Sequence, residues 1–155
     1  MQLLSSCYLF RGLSTSQMVR LSATTKEIQI QKGELLMKEG QQAEELFILK
    51  KGAVELLTQV EDAFELPIAM LRNPGECTGT SSLIAPYVYN LNSRCAEDSK
   101  LLAINKTALK KLILEDHELG CIVMKNLAQH LLERLKETRQ ELKIHFKTLF
   151  KSSHH

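Results

Sequence analysis

Residues 74–90 read PGECTGTSSLIAPYVYN. Gly75 and Gly79 bracket the start, a Thr80-Ser81-Ser82 run follows, and the stretch ends on Tyr89 and Asn90. If the chain turns at Gly79 and opens one or two helical turns at Thr80, its first backbone N–H groups and the positive end of its dipole point outward together. The chemistry on offer is anion binding. The rival reading is a plain turn crossing a β structure. An anion site calls for a facing cation, and the stretch contains no Lys or Arg.

Other chemistry is thin. The cysteines, Cys7, Cys77, Cys95 and Cys121, form no C-x-x-C pair and follow no signal peptide. They predict reduced thiols in a cytoplasmic protein rather than a zinc site or a disulfide scaffold. Cys77, inside the stretch, reads first as packing and second as a pocket-lining redox or nitrosylation target. His117, His130 and His145 read as surface or satisfied histidines, with His130 facing outward. No nucleophile with an oriented base and no paired carboxylates stand out, so no catalytic or metal-binding residue is assigned and an enzyme is not expected. A formal net charge of +2 and the absence of Trp argue against a nucleic-acid surface. No apolar run approaches the ~20 residues of a membrane-spanning helix.

The surrounding pattern says what would hold such a stretch. Ser14 and Gln17 form a capping-box pair ahead of a short helix. From Lys26 the period shifts to two, with Ile28 and Ile30 alternating with polar neighbours. Short strands then follow with Gly turns between them. Residues 46–59 read as a hairpin around Lys51-Gly52, residues 61–67 as a charged connection, 68–72 as a strand and 99–104 as the last strand. At Asn105, a cap residue, the pattern turns helical, with Leu109, Leu112 and Ile113 on the buried side. A longer helix starts near His117 or Glu118. Its Leu127, Leu131, Leu135, Thr138 and Leu142 recur at heptad-like spacing, which predicts a helix pair between two copies of the chain. The "LERLKETRQELK" run reads as a solvated face of alternating charge. The fold class expected is mainly β with flanking helices: an antiparallel β-roll (double-stranded β-helix or jelly roll) followed by a long C-terminal helix. Its expected parts are a roll over 1–115, the dimerisation helix over 116–150, and a tail or tag remnant over 151–155.

These pieces resemble the cyclic nucleotide-binding domain of the catabolite activator and anaerobic regulator group. "LFRGLS", "KGELLMKEGQQAEELFILKKGAVELL", "NPGECTGTSSLI" and "DSKLLAINKTALKKLI" carry the likeness, with glycines at 33, 40, 52, 75 and 79 in the family's order. The resemblance implies that residues 75–90 are a phosphate-binding cassette. The ligand-binding candidates are Gly75, Glu76, Gly79, Thr80, Ser81, Ser82, Tyr89 and Asn90, joined by Thr138 and Arg139 from the long helix. No cofactor is required; the ligand expected is a cyclic nucleotide or another small anion.

The chain departs from the family at telling places. Where the family has a ribose-gripping Glu this chain has Thr80, and where it has the phosphate-pairing Arg and a following Ser or Thr it has Tyr89 and Asn90. Losing a charge-assisted partner costs roughly 2–3 kcal/mol; about 2 kcal/mol is a thirtyfold loss of affinity. Ordinary cAMP or cGMP is therefore expected to bind poorly. Arg94, a few residues on, replaces the cation only if it points inward. The expected role is the sensor part of a bacterial transcription regulator, acting as a homodimer without touching nucleic acid or membrane itself. The chain is either half of a longer regulator that carries a helix-turn-helix domain or a stand-alone domain. The alternatives are a ligand-free dimerisation scaffold and a haem or redox sensor.

Overall fold

The shift to a two-residue period marks the first strand closely: β1 spans Thr25–Ile30. The structure, a computed structural model, describes residues 2–153, so His154 and His155 lie outside it. Seven more strands follow: β2 (Leu35–Met37), β3 (Glu45–Lys51), β4 (Val54–Glu61), β5 (Phe64–Leu71), β6 (Cys77–Thr78), β7 (Asn92–Cys95) and β8 (Ser99–Asn105). All pair antiparallel, in two four-stranded sheets of order β1-β8-β3-β6 and β2-β7-β4-β5. The expected roll is present, with α1 (Gln2–Ser5) and α2 (Thr15–Ser22) before it and α3 (Lys106–Glu115) and α4 (His117–Ser153) after it.

Two local readings are corrected. Residues 46–59 are not a hairpin: β3 pairs with β6 and β8, while β4 pairs with β5 and β7. The Lys51-Gly52 turn carries the chain from one sheet to the other. Two apolar runs around a Gly look alike whether the strands pair or part, and the packing of side chains between the sheets decides. The hairpin is β4–β5, which places Glu61 opposite Phe64 inside the supposed charged connection.

β3 shows how the layers stack. It is buried on both faces from Leu46 to Leu49. Leu46 and Ile48 join Ile104 of β8 in a core shared with Leu4, Leu9, Leu21, Leu109 and Leu119 of the helical segments. Phe47 and Leu49 join Met37, Val54 and Cys95 in a second core between the sheets. The first sheet thus lies between the helices and the second sheet.

The helix ends follow the cap residues. The Gln17 N–H donates to Ser14 Oγ at 3.1 Å, and the Ser14 N–H donates to Gln17 Oε1 at 2.8 Å. Asn105 Oδ1 accepts the Thr107 and Ala108 N–H groups. A cap that the sequence reading missed is Asp116, which accepts the Leu119 N–H at 3.0 Å. That bond, with the Gln17 amide and Arg20 beside it, holds the carboxyl below its usual range.

α4 has two halves. The first buries Leu119, Val123 and Leu127, and Asn126 Nδ2 donates to the Leu9 and Arg11 carbonyls at 2.9 Å each. Beyond the cavity described below, Leu135 and Leu142 are half exposed. The helix runs on to Ser153, past the boundary expected at residue 150.

Candidate ligand-binding site

The stretch from Gly75 to Asn90 forms one wall of a cavity of about 480 Å³. β6 leads into it, Gly79 turns the chain, and a single 3-10 turn spans Thr80–Leu83. Gly79 is needed twice over. Its φ is 90°, and a Cβ there would sit 2.8 Å from the Glu45 carbonyl oxygen. The close approach is therefore to β3, not only to the cavity. The hydroxyl of Ser82 turns inward and donates to the Gly79 carbonyl at 2.7 Å, bracing the turn.

Of the candidate residues, Glu76, Gly79, Thr80, Ser81, Tyr89 and Asn90 line the cavity together. Gly75 and Ser82 are not among its lining residues; Gly75 packs against Ser6, and Ser82 is buried. The Glu76 carboxylate accepts the Arg72 N–H at 3.1 Å and the Asn73 amide at 2.9 Å. Tyr89 is bound to β3 at both ends of its hydroxyl, accepting the Glu45 N–H at 3.2 Å and donating to the Glu45 carbonyl at 2.8 Å. Burial, above all, pushes its phenol up. Ser81 Oγ lies 3.5 Å from Asn90 Oδ1.

Arg94 does not enter. It pairs with Glu65 at 3.1 Å, a carboxylate also held by Asn92. The cation comes from elsewhere. Arg134 on α4 is the lone Lys or Arg among the described residues that line the cavity, and it pairs with Glu137 at 3.2 Å. One turn before it, His130 also lines the wall and stacks on Tyr8, with ring centroids 4.1 Å apart. Burial first, and the Arg134 guanidinium second, hold that imidazole below its usual pKa. The outward-facing reading of His130 is thus corrected; the run at residues 132–143 is exposed throughout, as read, and Arg134 within it also lines the cavity. The available signal was the spacing: Leu127, His130, Leu131 and Arg134 share one helix face at i, i+3, i+4 and i+7. Following the leucines to Leu135 led away from it.

Thr138 and Arg139 lie further along α4 and do not line the cavity of their own chain. The Thr138 hydroxyl donates to the Arg134 carbonyl at 2.9 Å. Cys77 lines the cavity, Cys7 and Cys95 are buried, and Cys121 is exposed. Among the described residues no group of His, Cys, Asp and Glu is placed to hold a metal, and no helix is long and apolar enough to cross a membrane.

Comparison with known proteins agrees with this geometry. The sequence matches the cyclic nucleotide-binding domain pattern over residues 27–116. It is 28% identical to the anaerobic regulatory protein of Bacillus subtilis over 81% of this chain, and spans about half, 52%, of that relative's length. The fold superposes on Thermus thermophilus catabolite activator protein with a TM-score of 0.75 at 26% identity, covering 88% of this chain and 62% of that one. It also superposes on the N-terminal domain of a transcriptional regulator from Streptomyces coelicolor, with a TM-score of 0.73 at 25% identity, covering 84% of this chain and 93% of that one. By name these relatives are regulators, not enzymes. With the two-sheet roll, the turn at Gly79 and a match over residues 27–116, the chain belongs to the cyclic nucleotide-binding domain family.

Proposed function

We propose that this domain senses a small anion in the cavity beneath the cassette and passes the signal on through α4, as the cytoplasmic sensor part of a transcription regulator. The observation that carries the reading is Arg134. The cassette contributes hydroxyls and backbone but no cation, and α4 contributes the guanidinium to the same cavity. Leu56, Ala69 and Leu71 give the cavity an aliphatic side. A ligand with one anionic group and an apolar or planar body suits such a lining. A cyclic nucleotide has that make-up, but Thr80 offers no carboxylate to its ribose hydroxyl, so cAMP and cGMP bind weakly. A ligand held between cassette and α4 would bias the helix angle and so an attached effector.

The outer half of α4 supports a homodimer. Leu131, Leu135 and Leu142 are 47%, 51% and 55% exposed at near-heptad spacing. A second α4 laid along this seam covers them and brings Thr138 and Arg139 toward the second copy's cavity.

Calorimetric titration with cAMP, cGMP and cyclic dinucleotides tests the reading, in the unaltered protein and in Arg134→Ala. Binding of one of these, weakened at least about thirtyfold by a substitution that costs roughly 2 kcal/mol, is the expected result. A second reading, a ligand-free dimerisation scaffold, draws on Tyr89: its hydroxyl is spent on β3 at the position where the resemblance implies a phosphate-binding Arg. If no anion of the set binds or raises the melting temperature, the scaffold reading replaces the sensor.

A further inference from the structure

His130 and Arg134 both line the cavity, and they stand one turn apart on the same face of α4. That spacing brings two side chains together at their bases, with Cβ atoms about 5–6 Å apart. One face of the imidazole is covered, because the Tyr8 ring stacks on it with 17° between the planes. The residue is only half buried, so protons from solvent reach it. Arg134 is not a free cation, since Glu137 pairs with it at 3.2 Å. Among the described residues, the other titratable groups that line the cavity are Tyr8, Glu76, Cys77 and Tyr89. Glu76 has both carboxylate oxygens engaged, by the Arg72 N–H and the Asn73 amide, and the Tyr89 hydroxyl is spent on β3. Phenols and thiols ordinarily ionise above pH 7, and a carboxyl ordinarily below pH 5. Among these lining groups, His130 is the one whose charge ordinarily changes between about pH 5 and 8.

We propose that the cavity senses an anion and a proton together: an anion held by Arg134 draws a proton onto His130, and the imidazolium becomes the second cation of the site. This rests on the anion-sensing reading above and adds the regulation of that same site. Without an anion, burial first and the Arg134 guanidinium second disfavour the charged imidazole, with Glu137 opposing them. An anion on Arg134 offsets the repulsion between the two cations and adds an attraction to His130. The Tyr8 stack need not break, because an aromatic face also attracts a cation. One proton passes from solvent to the neutral imidazole, and no other bond is made or broken. The sign follows from linkage. Anion binding raises the proton affinity of His130, so protonation raises the anion affinity by the same factor. Affinity for the anion therefore climbs as pH falls through the range in which His130 titrates, and levels off once it is charged in both states. Both groups belong to α4, so acid and ligand act through one element.

The test is calorimetric titration of the full chain with cAMP, cGMP and cyclic dinucleotides at about pH 5.5 and about pH 8, either side of the ordinary histidine value. The phosphates of these probes keep their charge over that range. At about pH 6.5 the titration is repeated in buffers of different ionisation enthalpy, which counts the protons taken up. The expected result is a probe that binds roughly tenfold tighter, or more, at the lower pH, with net proton uptake at the middle one. His130→Gln and His130→Phe, the second keeping a ring over Tyr8, are expected to bind with the weaker affinity at both pH values and to take up no proton. Should either variant fail to fold, the other, with the proton count of the unaltered protein, decides. A probe that binds equally at both pH values, or whose pH dependence survives in both variants, overturns the coupling and leaves the sensor reading standing. No binding by any of these probes at either pH overturns both.

Discussion

The Tyr8 and His130 rings stack at 4.1 Å with 17° between their planes, tying the start of the chain to the middle of α4 beside the cavity. The contact spans most of the sequence and joins the N-terminal segment, the cavity wall and α4 in one pair of side chains. It also sets a pH dependence. The folded-state pKa of His130 is depressed, chiefly by burial, with Arg134 acting in the same direction and Glu137 against it. The unfolded state then binds the proton more readily than the folded one, so stability rises with pH up to about 6.5, the unfolded value, and falls as pH drops below it. Urea midpoints at a series of pH values between about 5 and 7.5 should rise with pH, and His130→Gln should flatten the slope. An unchanged slope in the variant means His130 does not titrate differently on folding.

Gly79 and Gly40 make a matched pair for substitution by Ala. Their φ angles are 90° and 89°, but a Cβ at Gly40 meets nothing within 4 Å, whereas at Gly79 it meets the Glu45 carbonyl. Both variants bear the cost of a left-handed L residue, about 1–2 kcal/mol. Gly79→Ala is expected to lose clearly more stability than Gly40→Ala in chemical denaturation. Equal losses would mean the approach to β3 relaxes freely.

Tyr89→Phe keeps the ring and removes the hydroxyl that binds both the Glu45 N–H and carbonyl. The site is nearly closed to water, with Tyr89 at 7% exposure. The expected loss is about 1–2 kcal/mol, read as a lowered melting temperature. A neutral result would place water at those backbone groups.

Leu135→Glu tests the seam. Leu135 is half exposed in the single chain, so the substitution should leave the monomer's stability nearly unchanged. Sedimentation velocity is expected to show a dimer for the parent and a monomer for the variant. A parent that sediments as a monomer at all concentrations rules out the α4 pairing.

Local pattern determined much of this protein. Ser14, Gln17 and Asn105 set helix starts because a cap acts within three residues of itself. Ile28 and Ile30 announced β1 because a strand's two faces alternate. The cassette's weak point, Thr80 and Tyr89 where a carboxylate and a cation are implied, was visible in the sequence alone. What lay beyond that reading was every relation between distant residues. Whether β3 paired with β4, which side of α4 met the cavity, and that Arg134 rather than Arg94 lined it were settled by packing. A period of two or 3.6 says which residues share a face but not what that face touches, and that choice is made by the burial of both cores at once.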